Sequence, residues 1–204
     1  MTKSFLLTCL GIGCLYQVHA QDLPQEATVP VATPSESTYK PVRLLLGGAL
    51  ELGGDNVAKV YFTNGQDQSV KAGQGGSVSV GAQFQFKGID RLLLRTTVGY
   101  KYLTTQADNA HIRLTRVPIH LTANWMAHKN VRLGAGLVTH QAIKFHADGI
   151  GDNMTFDAAT GPVFEVAYRG IGLSYTAMTY KDQTNHTYSA NAIGLTVSGV
   201  LPKR

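Results

Sequence analysis

Eight charged residues raise the first chemical question: Arg43, Glu51, Arg95, Lys101, Arg116, Arg132, Lys144 and Glu165. They stand inside runs that are otherwise apolar or small, such as "RLLLGGALEL", "RLLLRTTVGYKYL", "VRLGAGLVTHQAIKF" and "GPVFEVAY". These runs alternate with period two, so they read as strands with one charged face and one apolar face. Charges gathered on one face can do two things. Glu51 and Glu165 can each be bridged by several arginines and lysines, which makes a polar plug. Alternatively, the cations can line a narrow path that selects anions. The expectation is the plug, because charges in a narrow interior must be paired to offset their desolvation.

Other chemistry finds less support. The histidines occur as "HIR", "HLT", "HKN", "HQA", "HAD" and "HTY", none with a serine two places on, and Ser174 and Ser198 have no evident base. A nucleophile needs such a partner, so no catalytic residue is expected and the chain does not read as an enzyme. "HADGIGDN" offers Asp148, Asp152 and Asn153 to a cation, but lacks the alternating acids and downstream Glu of a calcium loop. It reads as a surface loop. The glycosylation-type matches at Asn153 and Asn185 read as chance. Phosphate-loop, zinc and dinucleotide motifs are absent, so no metal and no cofactor are expected. Cys9 and Cys14 are the two cysteines of the sequence.

Several elements must position the charged face. Residues 1–20, with Lys3, the apolar "FLLTCLGIGCLY" and Ala20 after "VH", predict an export leader that carries both cysteines. Residues 21–41 hold four prolines among small polar residues and predict a flexible tail. The chain has 18 basic and 13 acidic residues, and loss of Lys3 leaves 17 basic ones. That excess is too small to indicate nucleic acid. From residue 42 onward eight strands follow. Their apolar face includes Val78, Val80, Phe84, Phe86, Leu94, Val98, Leu121, Leu133, Leu195 and Val197, with Ile143 expected there too. In "SVSVGAQFQF" the opposite face is Ser79, Gly81, Gln83 and Gln85.

Ile112 and Leu114 fall out of step with Val117, Ile119 and Leu121, which predicts a bulge near Thr115–Arg116 beside Pro118. Connections alternate in length. Short turns are expected at 87–90, 128–130 and 169–170, and long polar loops at 53–76, 104–111, 146–160 and 181–189. Asn64-Gly65 predicts a hairpin inside the first loop. Tyr100, Tyr102, Trp125, Phe145, Tyr168 and Tyr175 sit towards strand ends, where an interfacial aromatic girdle belongs.

A soluble barrel has an apolar interior and a polar exterior; here one face is uniformly apolar and the other charged. The apolar face therefore reads as lipid-facing, and the fold class as an all-β, eight-stranded antiparallel up-and-down transmembrane barrel over residues 42–204. The alternation, the strand count and stretches such as "GALELGGD", "TVGYKY", "RVPIHL" and "RLGAGLVTH" resemble the small eight-stranded outer-membrane barrel proteins of Gram-negative bacteria, the OmpA/OmpX/OmpW-like group, over residues 42–201.

The resemblance implies export by a Sec-type route, residence in the outer membrane, and contact with its lipid, with lipopolysaccharide and with the barrel assembly machinery. It also implies a structural, adhesive or surface-binding role for the long loops. A narrow channel for small or hydrophobic solutes is the alternative, and a lipid-modifying enzyme the more distant one. The chain departs from the group at its end. "GLTVSGVLPKR" has no terminal Phe, although Gly194, Val197 and Leu201 keep part of the pattern.

Overall fold

Strand β1 (Val42–Leu52) hydrogen-bonds along one edge to β4 (Gly75–Phe86) and along the other to β13 (Ala192–Leu201). That double pairing closes a ring. From β4 the ring continues through β5 (Ile89–Ala107), β6 (Ala110–His128), β7 (Val131–His146), β9 (Ala159–Tyr168) and β10 (Ile171–Thr176) back to β13, every pair antiparallel. The structure is a computed structural model, and it describes residues 41–61, 67–107, 110–147 and 152–202. The leader expected over 1–20, the tail up to residue 40 and the Asn64-Gly65 turn lie outside the described residues. Pro41, the last tail residue, accepts a hydrogen bond from Gln85 N at 2.8 Å, so the ladder begins one residue early.

Five short strands complete the set. A hairpin of β2 (Asn56–Tyr61) and β3 (Asp67–Lys71) rises from the first long connection. Strand β8 (Met154–Phe156) adds to the far end of β7, and β11 (Thr179–Lys181) pairs with β12 (Thr187–Ser189). The loop expected at 104–111 is instead ladder, with pairing described as far as Ala107 and Ala110. At the opposite end the connections are tight. Arg169 (φ 50°) and Gly170 (φ 94°) supply the two left-handed residues of a primed hairpin turn, whose twist matches its strands.

The barrel is inside-out by the standard of a soluble protein. Large apolar side chains stand exposed around its wall, among them Leu50 (67%), Val78 (68%) and Ile193 (64%). Trp125, Tyr168 and Tyr175 join them near the strand ends, whereas Tyr100 and Tyr102, expected at a strand end, lie within the longer β5 and stack at 6.5 Å. Val80, Phe86, Val98, Leu121, Leu133, Leu195 and Val197 are on this wall as well, with Phe84 and Leu94 half-covered by neighbours. In water such a surface would be an apolar patch far beyond what monomers carry. A hydrocarbon surrounding removes that cost, and the closed ring leaves no unpaired sheet edge to face it.

The interior has two storeys. Towards the short turns it is polar and charged. Towards the long connections it is apolar, a cluster that includes Ile112, Leu114, Val138, Ile143, Phe145 and Phe156, joined by Val70 and Tyr180. This arrangement overturns two expectations. Ile112 and Leu114 need no bulge in their own strand, because β5 and β6 keep one register from Val98↔Ile119 to Ala107↔Ala110. Both side chains point inward with Arg116, and the inner face changes chemistry rather than phase. The bulge lies on β7 instead. Three steps from Gln141 to Lys144 oppose two from Val117 to Thr115, and Ala142 takes φ 49°.

An extra residue flips every side chain beyond it. Ile143 and Phe145, expected outside, are therefore buried, and Lys144, expected in the lumen, is exposed. A non-glycine residue in the left-handed region costs roughly 1–2 kcal/mol, and a β-branched one more. Ala142→Gly is expected to be neutral or stabilising by up to about 1 kcal/mol, whereas Ala142→Val should cost about 2 kcal/mol. Urea midpoints of the detergent-folded barrel, followed by Trp125 fluorescence, check both.

Candidate functional site

The interior charges assemble in layers. Nearest the short turns, the Arg43 guanidinium donates to Gln85 Oε1 at 3.3 Å. Arg95 donates through Nε to Gln83 Oε1 at 2.9 Å and through Nη1 to Ser198 Oγ at 3.3 Å. Arg132 meets Glu165 at 2.7 Å, and the other Glu165 oxygen accepts from Thr196 Oγ1 at 2.7 Å. Each partner is brought in by the register. Gln83 is the Cα partner of both Arg43 and Arg95 across neighbouring strands, and the alternation turns all three inward. Above this layer lies a cavity of about 110 Å³ bordered by Glu51, Ser79, Arg95, His120, Glu165 and Ser174. A space of that size and polarity accommodates a few waters.

Above the cavity the interior closes. Lys101, buried, pairs with Glu51 at 2.6 Å and donates to the Gly73 carbonyl at 2.8 Å. Arg116, also buried, donates through Nη1 to the Ala72 carbonyl at 2.7 Å and through Nη2 to that of Gln74. Three consecutive carbonyls of the connection between β3 and β4 are thus held by two cations on the lumen wall. The turn that carries them fits because it is built from glycine. A Cβ on Gly73 would stand 2.7 Å from the Asn191 carbonyl oxygen and 2.9 Å from those of Ala190 and Gly53. Asp55 ties this turn to the neighbouring connection. Its backbone accepts from Ala72 N, and its carboxylate accepts from Ser189 N at 2.7 Å.

Over the turn sits the apolar cap. Tyr180, on β11, points into it and stands 2.5 Å from His140 Nδ1, with the Arg116 guanidinium 5.9 Å from its ring centre. Burial pushes the Tyr180 hydroxyl up to about 12, although the neighbouring Arg116 charge works the other way. A phenol whose folded value exceeds its unfolded value of 10 binds its proton more tightly when folded. Its contribution to stability is therefore complete below pH 10 and lost as pH rises through about 12. Unfolding midpoints should fall across that window in the native chain and stay flatter in Tyr180→Phe.

Of the eight charged positions singled out in the sequence, Arg43, Glu51, Arg95, Lys101, Arg116, Arg132 and Glu165 meet inside the barrel, and Lys144 does not. Tyr180, Thr196 and the carbonyls of residues 72–74 belong to the site although no charge pattern marks them. The run "KAGQGG" was their one signal, since successive glycines permit a turn against another backbone. Ser174 donates to the Gly194 carbonyl at 3.5 Å and Ser198 accepts from Arg95, so both hydroxyls serve the wall. Among the described residues no group of three or more metal-type ligands comes together.

Removing one partner of a buried ion pair strands the other charge, at a cost of about 3–5 kcal/mol. Glu51→Gln is expected to lower stability by about that amount, and Glu51→Gln with Lys101→Met to cost less than the two single changes added, while still losing the hold on the Gly73 carbonyl. Equilibrium unfolding in detergent measures the cycle. Full additivity of the two single changes would contradict the pairing.

No family model matches the chain, and no curated protein matches it. Among solved structures, Neisserial surface protein A (NspA) is similar at 15% identity and a TM-score of 0.42, covering 78% of this chain and 97% of that one. Ail, the attachment invasion locus protein of Yersinia pestis, is similar at 9% identity and a TM-score of 0.37, with 78% and 97% covered. The outer membrane channel DcaP of Acinetobacter baumannii is similar at 14% identity and a TM-score of 0.33, with 67% of this chain and 42% of that one covered.

Proposed function

We propose that the chain is an integral protein of the bacterial outer membrane, delivered by Sec-type export, whose barrel is an occluded anchor. Its work is then done at the cell surface by the elements beyond the membrane, as structural support, adhesion or recognition. The observation that carries this reading is the seating of residues 72–74 in the barrel mouth by Lys101 and Arg116, beneath an apolar cap. A solute passing through would have to displace three backbone carbonyls from buried cations and part a packed core. The exposed apolar wall supports residence in lipid. The β2–β3 hairpin and the β11–β12 pair supply the surface that faces outward in this reading, a binding surface for a partner on another cell or molecule.

Two measurements test it. Full-length protein, extracted with detergent and showing heat-modifiable gel mobility, should give no stepwise conductance in planar bilayers. Steady single-channel steps from the native chain would replace the anchor with a narrow channel. A chain that stays β-rich and soluble without detergent would overturn the membrane assignment itself.

A further inference from the structure

Arg95 borders the interior cavity without a carboxylate of its own. Both acids on the same cavity are already held. Glu51 pairs with Lys101 at 2.6 Å, and Glu165 pairs with Arg132 at 2.7 Å while accepting from Thr196 Oγ1 at 2.7 Å. Arg95 donates instead to two neutral acceptors, Gln83 Oε1 at 2.9 Å and Ser198 Oγ at 3.3 Å. Among the described residues no carboxylate stands within ion-pair distance of it. Arg43 and Arg132 push against its charge, and Glu165 draws on it from further off. Its side chain is buried. A buried guanidinium has lost most of its hydration, and amide and hydroxyl dipoles offset that loss only in part. A counter-anion is the missing component.

The cavity has room for one. Its volume is about 110 Å³, and its lining mixes carbon from Leu45, Pro118 and Val163 with hydroxyls of Ser79, Thr97 and Ser198. A space of that volume holds about four to six non-hydrogen atoms of an organic molecule. The seated turn of residues 72–74 closes the end beyond Lys101 and Arg116, so a ligand enters from the short-turn side.

We infer that this cavity is a binding site for a short-chain monocarboxylate. The carboxylate meets the Arg95 guanidinium, whose planar fork matches two carboxylate oxygens. The short carbon tail lies against Leu45, Pro118 and Val163. Charge selects the class. With Glu51 and Glu165 each neutralised by its own cation, one negative charge balances Arg95. A second carboxylate on the ligand would meet Glu51 or Glu165, an amine would meet Arg95, and a neutral molecule would leave Arg95 uncompensated. The inference rests on the occluded barrel proposed above and adds a ligand that an anchor alone does not require.

Full-length protein folded in zwitterionic detergent, with folding verified by gel mobility, would be titrated calorimetrically at neutral pH and fixed ionic strength. The probes are propionate, its neutral isostere propionamide, chloride, and benzoate, which is too large for the cavity. Propionate should bind saturably at one site per chain, about tenfold or more tightly than propionamide or chloride, and benzoate should not bind. Arg95→Gln should weaken propionate about tenfold or more. Ser79→Leu fills the cavity and leaves Gln83 and Ser198 to Arg95, so it should abolish binding; it decides the matter where Arg95→Gln does not fold.

Propionamide bound as tightly as propionate, benzoate bound at all, or propionate binding retained by Ser79→Leu would overturn the site. Chloride bound as tightly as propionate would reduce it to a general anion hole and overturn the carboxylate assignment. No saturable binding by the native chain would leave the cavity to water and overturn it as well. Failure of the anchor reading shows itself separately, as conductance steps or as a chain that never requires detergent.

Discussion

Lys101 and Arg116 stand where the interior changes from wet to dry, and the upper half of the molecule depends on what they grip. Below them are carboxylates, hydroxyls and amides. Above them is a hydrocarbon cluster in which a bare cation would be prohibitively costly. Their solution is to point at backbone. The carbonyls of Ala72, Gly73 and Gln74 accept from them, so the turn between β3 and β4 is drawn into the mouth, and the cap packs over it. The same hydrogen bonds satisfy a buried turn that has no ladder partner of its own at those oxygens. Each side supplies hydrogen-bond partners to the other, and so the cations, the glycine turn and the apolar cap form one unit.

The cap also explains why the inner face of β6 reads as it does. Ile112, Leu114, Arg116, Pro118 and His120 share a single face, yet they span three environments. A membrane barrel is usually sorted by two rules, apolar outward and polar inward. The extension of β5, β6 and β7 beyond the apolar wall obeys the soluble rule instead, with its greasy side turned in. The chain thus switches convention partway along a strand without changing phase.

That switch marks the limit of what the sequence discloses. The closed ring, the short turns and seven of the eight charges expected inside were legible, because alternation is local and charges mark the inner face. Arg169-Gly170 announced its turn by composition. Ile112 and Leu114 misled because apolar residues at alternating positions do not say which solvent they avoid. Ile143, Phe145 and Lys144 misled through one extra residue at Ala142, which leaves no mark in a run that stays strand-like on both sides. The binding of residues 72–74 was illegible for another reason. Backbone carbonyls have no letter, and only the glycines around them hinted at a close approach.

The Ala142 bulge illustrates how such a fold assigns charge. With a strict period of two, Lys144 would stand inward among Ile112, Leu114 and Phe156, a cation in the middle of the cap with no carboxylate in the apolar cluster to meet it. Inserting one residue exchanges that lysine for Ile143 and Phe145, which the cap can use. The cost is a single left-handed alanine, far smaller than burying an unpaired ammonium. The displaced lysine must then face outward, and it does so beyond the apolar wall, beside Arg113. Packing of the cap is therefore sufficient to account for the bulge, and the outward basic pair follows from it. What packing does not require is Arg113. Its position is already outward and lies in no bulge, and on the extension of β6 beyond the apolar wall an exposed charged side chain keeps its hydration at little cost.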